Sequence, residues 1–174
     1  EFAEKHGLRL ISIADLITYR LARERLVEKL RQEPVTLDTG VTWQAHVYDV
    51  GKGKQFLAMT LGTIDQSPTL VRMHTGSVLG DVFRVSMGNR LGIDQAIHRI
   101  ESEGRGAIVF LPGDADPSSD IAYLLGEAPR PRNVDKGEVL REYGLGAQVL
   151  ADLGLGKMRI LTNRPRRIPS VDAY

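Results

Sequence analysis

The sequence predicts an α+β fold: a core of antiparallel and mixed β-sheet with flanking helices, preceded by a connector helix. Three observations carry that expectation. The first thirty or so residues show helical apolar spacing. A run from Val35 to Met73 consists of β-branched and apolar stretches separated by turn chemistry. Beyond it, helical and strand patterns alternate.

The elements follow in order. Ser12 and Asp15 form a variant capping box at a helix start. Ile13, Leu16, Ile17, Leu21, Leu26, Val27 and Leu30 then recur at roughly helical spacing, which predicts a helix from about Ile13 to Gln32, ended by Glu33-Pro34. The arginines between them read as a solvated face rather than a phosphate patch. Strands are expected at Val35-Thr36-Leu37, Val41 to Val50, Gln55 to Thr63 and Thr69 to Met73. Gly51-Lys52-Gly53 separates two of them and reads as a hairpin turn. Ile93 to Glu103 is a helix stopped by Gly104, and Ala107 to Leu111 is a short buried strand. Asp114 to Ser119 reads as a polar loop and Ile121 to Leu125 as a brief helix. Ala128 to Asp135, with two prolines, reads as irregular; Gly146 to Leu153 is a helix and Met158 to Leu161 a strand.

Composition narrows the function classes. A hydrophobic fraction of 42% and a charged fraction of 26% suit a globular domain. A formal net charge of +1 gives no electrostatic case for nucleic acid or membrane as a partner. No apolar run approaches the roughly 20 residues of a membrane span, and no signal-peptide pattern opens the chain. A cytoplasmic protein is the expectation. The chain contains no cysteine, so disulfides and thiolate-held metals are excluded by composition. It opens on Glu1-Phe2-Ala3-Glu4 rather than Met, which reads as the middle of a longer chain.

Three stretches carry a resemblance. Leu70-Val71-Arg72-Met73-His74-Thr75, continuing to Gly80-Asp81-Val82-Phe83, is similar to a strand and loop reading Arg-Val-His-Ser-Glu-Cys, then Thr-Gly-Asp-Val-Phe. Ile100 to Gly106 resembles the helix end and turn before a central strand. Leu140-Arg141-Glu142-Tyr143-Gly144, Gly146-Ala147-Gln148 and Leu161-Thr162-Asn163-Arg164-Pro165 resemble Arg-x-Tyr-Gly-x-Gly-Ala-Gln and Leu-Thr-Asn-Asn-Pro. In this order and spacing they resemble the GTP cyclohydrolase II family from about Val35 to the C-terminus. Phe2 to Leu8, then Ile11 to Ile17 and Tyr19-Arg20, resemble the end of 3,4-dihydroxy-2-butanone-4-phosphate synthase, which precedes the cyclohydrolase in bifunctional riboflavin-biosynthesis proteins. The implied division is residues 1–33 as synthase tail and connector and 34–174 as the cyclohydrolase-like domain. The implied partners are that upstream synthase domain and a second copy in a homodimer.

The family reaction opens the guanine imidazole ring and releases formate and pyrophosphate, with water activated on a zinc held by three cysteines. Ser77 stands at the first of those positions and the other two fall within Met87 to Arg90. His74, Asp81 and His98 are the nearest other donors; His74 matches a family histidine that is not a ligand, and His98 has no second His four residues away. The resemblance therefore implies a degenerate domain with no cofactor and the family zinc absent. Arg141 matches the arginine proposed to attack the α-phosphate and is read as vestigial, because Val139 replaces its acidic partner and cannot take a proton. Gly113 to Ser118 replaces another family stretch, and Tyr123 stands near a catalytic tyrosine's place without an assigned role. Arg72, His74, Thr75, Thr162 and Arg167 match positions that contact GTP, while Gly76 replaces a glutamate. The expected function is a structural or regulatory partner of the synthase domain. The alternative is residual GTP binding or pyrophosphate release without ring opening.

Overall fold

The computed structural model describes residues 2–112, 117–127 and 136–163. A short helix α1 (Phe2–Lys5) precedes α2 (Ile13–Arg23), then come strands β1 (Glu28–Thr36), β2 (Thr42–Asp49), β3 (Gln55–Leu61) and β4 (Thr69–Thr75). A single π-helical turn (Val78–Val82) leads to α3 (Ile93–Glu103), β5 (Gly106–Leu111), α4 (Pro117–Leu125), α5 (Lys136–Asp152) and β6 (Met158–Ile160). No helix among the described residues is long and apolar enough to cross a membrane.

The strands form one six-stranded sheet in the order β1-β2-β3-β5-β4-β6. The first three contacts are antiparallel, and β4 pairs in parallel with both β5 and β6. The predicted mixed sheet with flanking helices is therefore the observed fold. Residue alternation along the central strands sorts side chains to two faces. Val71, Ala107 and Val109 join Leu145, Val149 and Leu150 of α5 in the larger core cluster. Leu70 and Ile108 point the other way, packing with Ala96 and Ile100 of α3 and with Trp43.

The connector is shorter than its apolar spacing predicts. The Ser12–Asp15 capping box forms as expected, with reciprocal bonds of 3.1 and 2.9 Å. The helix stops at Arg23, however, and Glu28 onward is strand. Pairing of β1 with β2, from Glu28 opposite Asp49 to Thr36 opposite Thr42, outweighs the local helical pattern. Pro34 lies inside β1 rather than ending a helix, because an edge strand pairs on one side only and tolerates a missing N–H. Gly51-Lys52-Gly53 makes the β2–β3 turn, as read. At the other end, α5 begins ten residues before the expected start, and Gly144 and Gly146 lie in its interior. Of the expected polar loop Asp114 to Ser119, residues 114–116 lie outside the described residues and 117–119 are the first turn of α4, which Pro117 can open because no intrahelical N–H is needed there, so this helix is longer than the expected Ile121 to Leu125. The stretch 128–135, read as irregular, lies outside the described residues.

The α3-side layer is closed by the single tryptophan. Trp43 is buried, and its indole N–H donates to Glu101 Oε1 at 3.0 Å, an oxygen that also accepts from the Thr39 hydroxyl at 2.8 Å. Trp43→Phe removes the donor and part of the ring. The expected cost is about 1–2 kcal/mol, a fall in Tm of about 2–8 °C for a chain of this size. Thermal melts followed by circular dichroism measure it, and an unchanged Tm would show the indole bond to be dispensable.

Candidate functional site

Alternation along β4 sends Arg72 and His74 to the α3 face with Leu70, and Thr75 to the α5 face with Val71. The residues expected to contact a nucleotide are thus divided between two faces of one strand. Arg72 is committed to the protein: its Nη1 donates to Leu161 O at 3.1 Å and its Nη2 to Leu91 O at 3.0 Å. The guanidinium ties the exit of β6 to the approach to α3. Burial, followed by the charge of Arg90, lowers its pKa from the ordinary arginine value.

His74 is fully buried and stacks on Phe110 of β5 with ring centroids 5.9 Å apart. Its Nε2 lies 3.0 Å from Asp81 Oδ2 and 3.2 Å from Arg90 Nη2. One nitrogen cannot donate to the first and accept from the second with the same bond. An ionised carboxylate only accepts, so Nε2 carries the proton and points it at Asp81. Asp81 Oδ2 also accepts from Ser77 N at 2.7 Å and Arg90 Nη2 at 3.0 Å, while Arg90 Nη2 reaches Thr75 O at 2.6 Å. The π-helical turn supplies this geometry. Its cap Ser77 accepts from Gly80 N at 3.1 Å and donates to the buried Asp120 of α4 at 2.7 Å.

Four polar atoms of this cluster are buried without a hydrogen-bond partner among the described residues: Arg72 Nε, His74 Nδ1, Asp81 Oδ1 and Arg90 Nη1. Gly76 closes the end of the strand, because a Cβ there would stand 2.7 Å from Phe110 Cζ. A glutamate at this position would require the phenyl ring to move.

The remaining predicted residues are placed as follows. Arg141 lines a small cavity with Val50, Gly51, Lys54 and Phe56 at the β2–β3 turn. Thr162 is exposed just beyond β6, and Arg167 lies outside the described residues. Arg90 and Asp120 are the contributors that sequence reading passes over. Arg90 falls in the Met87–Arg90 window where the resemblance places paired cysteines, and no local pattern marks it as the partner of Asp81. Asp120 carries no local signal, since only packing of α4 on the π-helical turn buries it.

The GTP cyclohydrolase II family model matches residues 28–174. The riboflavin biosynthesis protein RibBA of Aquifex aeolicus is 38% identical over 188 residues, with all of this chain and 46% of that protein covered. The monofunctional riboflavin biosynthesis protein RIBA 2, chloroplastic, of Arabidopsis thaliana is 37% identical over 185 residues, with all of this chain and 37% of that protein covered. Among solved structures, RibBX of A. baumannii, described as a two domain 3,4-dihydroxy-2-butanone 4-phosphate synthase, is similar with a TM-score of 0.68 at 27% identity. That likeness covers 99% of this chain and 45% of the other. The chain thus spans less than half the length of each of these proteins.

These likenesses correct one expectation. A reading without any cofactor does not stand, because the matched family is a zinc-dependent one. Missing thiolates are a statement about ligand type and do not by themselves decide metal content. Among the described residues no group of three or more His, Asp or Glu is placed to hold a metal ion, and His74 and Asp81 are bonded to each other. The described donors do not fit the metal, so no chemical step is routed through it.

Asp81 makes the cluster acid-sensitive. Burial pushes its carboxyl up, but the His74 hydrogen bond and field, the Arg90 charge and the Ser77 N–H outweigh it and hold the pKa below the ordinary value. Its contribution is therefore complete above about pH 4, the unfolded value, and is lost as pH falls through the lower folded value. Asp81→Asn is expected to cost about 3 kcal/mol at neutral pH and to flatten the acid limb of stability. Urea unfolding at neutral and acid pH measures both; an unaltered acid limb would remove Asp81 as its source.

Proposed function

Because the chain belongs to the GTP cyclohydrolase II family, we propose that it is the C-terminal domain of a longer riboflavin-biosynthesis protein, acting as a structural or regulatory partner of a 3,4-dihydroxy-2-butanone-4-phosphate synthase domain. In this reading it does not open the imidazole ring of GTP itself. The carrying observation is that the groups expected to meet the nucleotide are used internally. Both Nη groups of Arg72 hold backbone carbonyls, and Nε2 of His74 holds Asp81. The Gly76–Phe110 contact adds to this, because a side chain at position 76 would have to displace the phenyl ring. The two-domain synthase likeness and the monofunctional relative support the same arrangement.

The synthase tail and connector form the N-terminal part in this proposal. Its boundary with the cyclohydrolase-like domain is proposed at residues 33–34, close to the start of β1 and of the family match at Glu28. The active unit is proposed to be a cytoplasmic homodimer. The test is to compare synthase activity, Tm and oligomeric state of the longer protein with a version truncated near Arg20. A several-fold loss of activity, or a lower Tm with loss of the dimer, is expected. Three unchanged readouts would sink the partner role, and formate release from GTP by the intact protein would sink the inactive reading.

A second reading is favoured by the unpartnered Arg72 Nε, His74 Nδ1 and Arg90 Nη1. Buried polar atoms without partners, two guanidinium donors and one imidazole acceptor, suit a small polar ligand. Weak GTP or phosphate binding at Arg72, His74 and Thr75, extended by Thr162 and Arg167, is the form it takes. Calorimetry with GTP is expected to give millimolar affinity, weakened by Arg72→Ala. Pyrophosphate release abolished by Arg141→Ala would extend the reading to chemistry, and absence of heat at millimolar GTP would end it.

A further inference from the structure

Three residues of α5 spaced four apart, Gly144, Gln148 and Asp152, lie on one helical face. All three meet the junction between α2 and β1. A Cβ on Gly144 would overlap Leu21 Cδ1, so glycine lets the buried Leu21 seat directly on the α5 backbone. Gln148 Nε2 donates to Leu21 O and to Glu24 O, each at 2.7 Å, and its Oε1 accepts from Leu26 N at 2.8 Å. One buried amide thus satisfies two carbonyls at the end of α2 and the first amide beyond the turn. Asp152 completes the row, accepting from Arg25 Nη2 at 2.5 Å, Lys29 Nζ at 3.1 Å and the Tyr48 hydroxyl at 2.8 Å.

The other side of this segment is apolar and uncovered. Leu10 is 87% exposed, Ile13 73%, Tyr19 56% and Leu16 48%. A frayed connector would expose such residues without consequence. Here the helix that carries three of them is held at its C-terminal end by buried bonds that fix its direction. The cost of ordering it is met by the domain before any partner arrives.

We infer that α2 is a rigid handle, clamped by Gln148, whose outward apolar face docks on an apolar surface of the synthase domain in the longer protein. This rests on the partner reading above. The occupant follows from the share of chain involved: relatives carry more than half of their length outside the matched region. An apolar face on the segment leading into that region is covered first by whatever is tethered to it, because tethering raises the local concentration to the millimolar range.

Two measurements test the two parts. In the 174-residue chain, the Leu26 amide should exchange with deuterium as slowly as the amides of β3 and β5, and Gln148→Met should speed it at least ~10-fold while β3 and β5 stay protected. Exchange of Leu26 in the unmodified chain as fast as that of Ile11 would overturn the clamp without any variant. For the docking part, trypsin cleavage after Arg9, Arg20 and Arg23 should be at least ~10-fold slower in the longer protein than in the 174-residue chain. Equal cleavage rates would overturn docking. Neither readout uses synthase activity, so a failed partner role and a failed handle give different results.

Discussion

A single carboxylate oxygen, Asp81 Oδ2, holds together the end of the sheet that carries the candidate site. It receives the His74 imidazole from β4, the Ser77 amide from the start of the π-helical turn and the Arg90 guanidinium from the loop beyond. At that point β4 is paired only with β5, and Ser77 and Arg90 lie outside the sheet. Without the carboxylate, a buried histidine and a nearly buried arginine would face each other with no counter-charge, which is among the costliest arrangements a protein interior can hold. The turn, its docking on α4 through Asp120 and the seating of His74 on Phe110 all follow from satisfying that constraint.

The same logic is repeated at the opposite side of the fold with a neutral group. Gln148 does for the α2–β1 junction what Asp81 does for the β4 loop, collecting backbone atoms that no ladder reaches. The difference is electrostatic. An amide takes both donor and acceptor partners without titrating, so Gln148's share of the connector's attachment is indifferent to acid. Asp152's share is not, because burial pushes its carboxyl up while the Tyr48 hydroxyl, Lys29 and Arg25 outweigh it and hold the pKa below the ordinary value.

Much of the fold was legible because it rests on periodicity. Strands from Thr42 to Thr75, the α3 helix with its stop at Gly104, and the mixed sheet itself follow from local patterns that the tertiary structure does not contradict. The connector departs from its helical stripe because the partner that draws Glu28 onward, Leu30 included, into a strand, β2, lies later in the chain. The site was legible as a set of residues and not as an arrangement. Arg72, His74 and Thr75 were picked out by their resemblance to a motif, but pleating divides them between two faces and hydrogen bonding turns Arg72 inward. The cofactor expectation failed for a related reason: counting ligand types in one sequence says less than belonging to a metal-using family.

By itself, then, the sequence determined the class of fold, most strand and helix positions, the family resemblance and the absence of thiolates. These depend on residue type and spacing, which are local. Only the tertiary structure decided where the connector ends, that Arg90 and Asp120 belong to the site, and that Gln148 ties α2 to α5. Each of those depends on a partner that spacing does not record: β2 for the strand after the connector, Asp81 for Arg90, Ser77 for Asp120, and Leu21 for Gln148 more than a hundred residues away. Burial makes such bonds obligatory, and sequence spacing carries no record of which partner will be near.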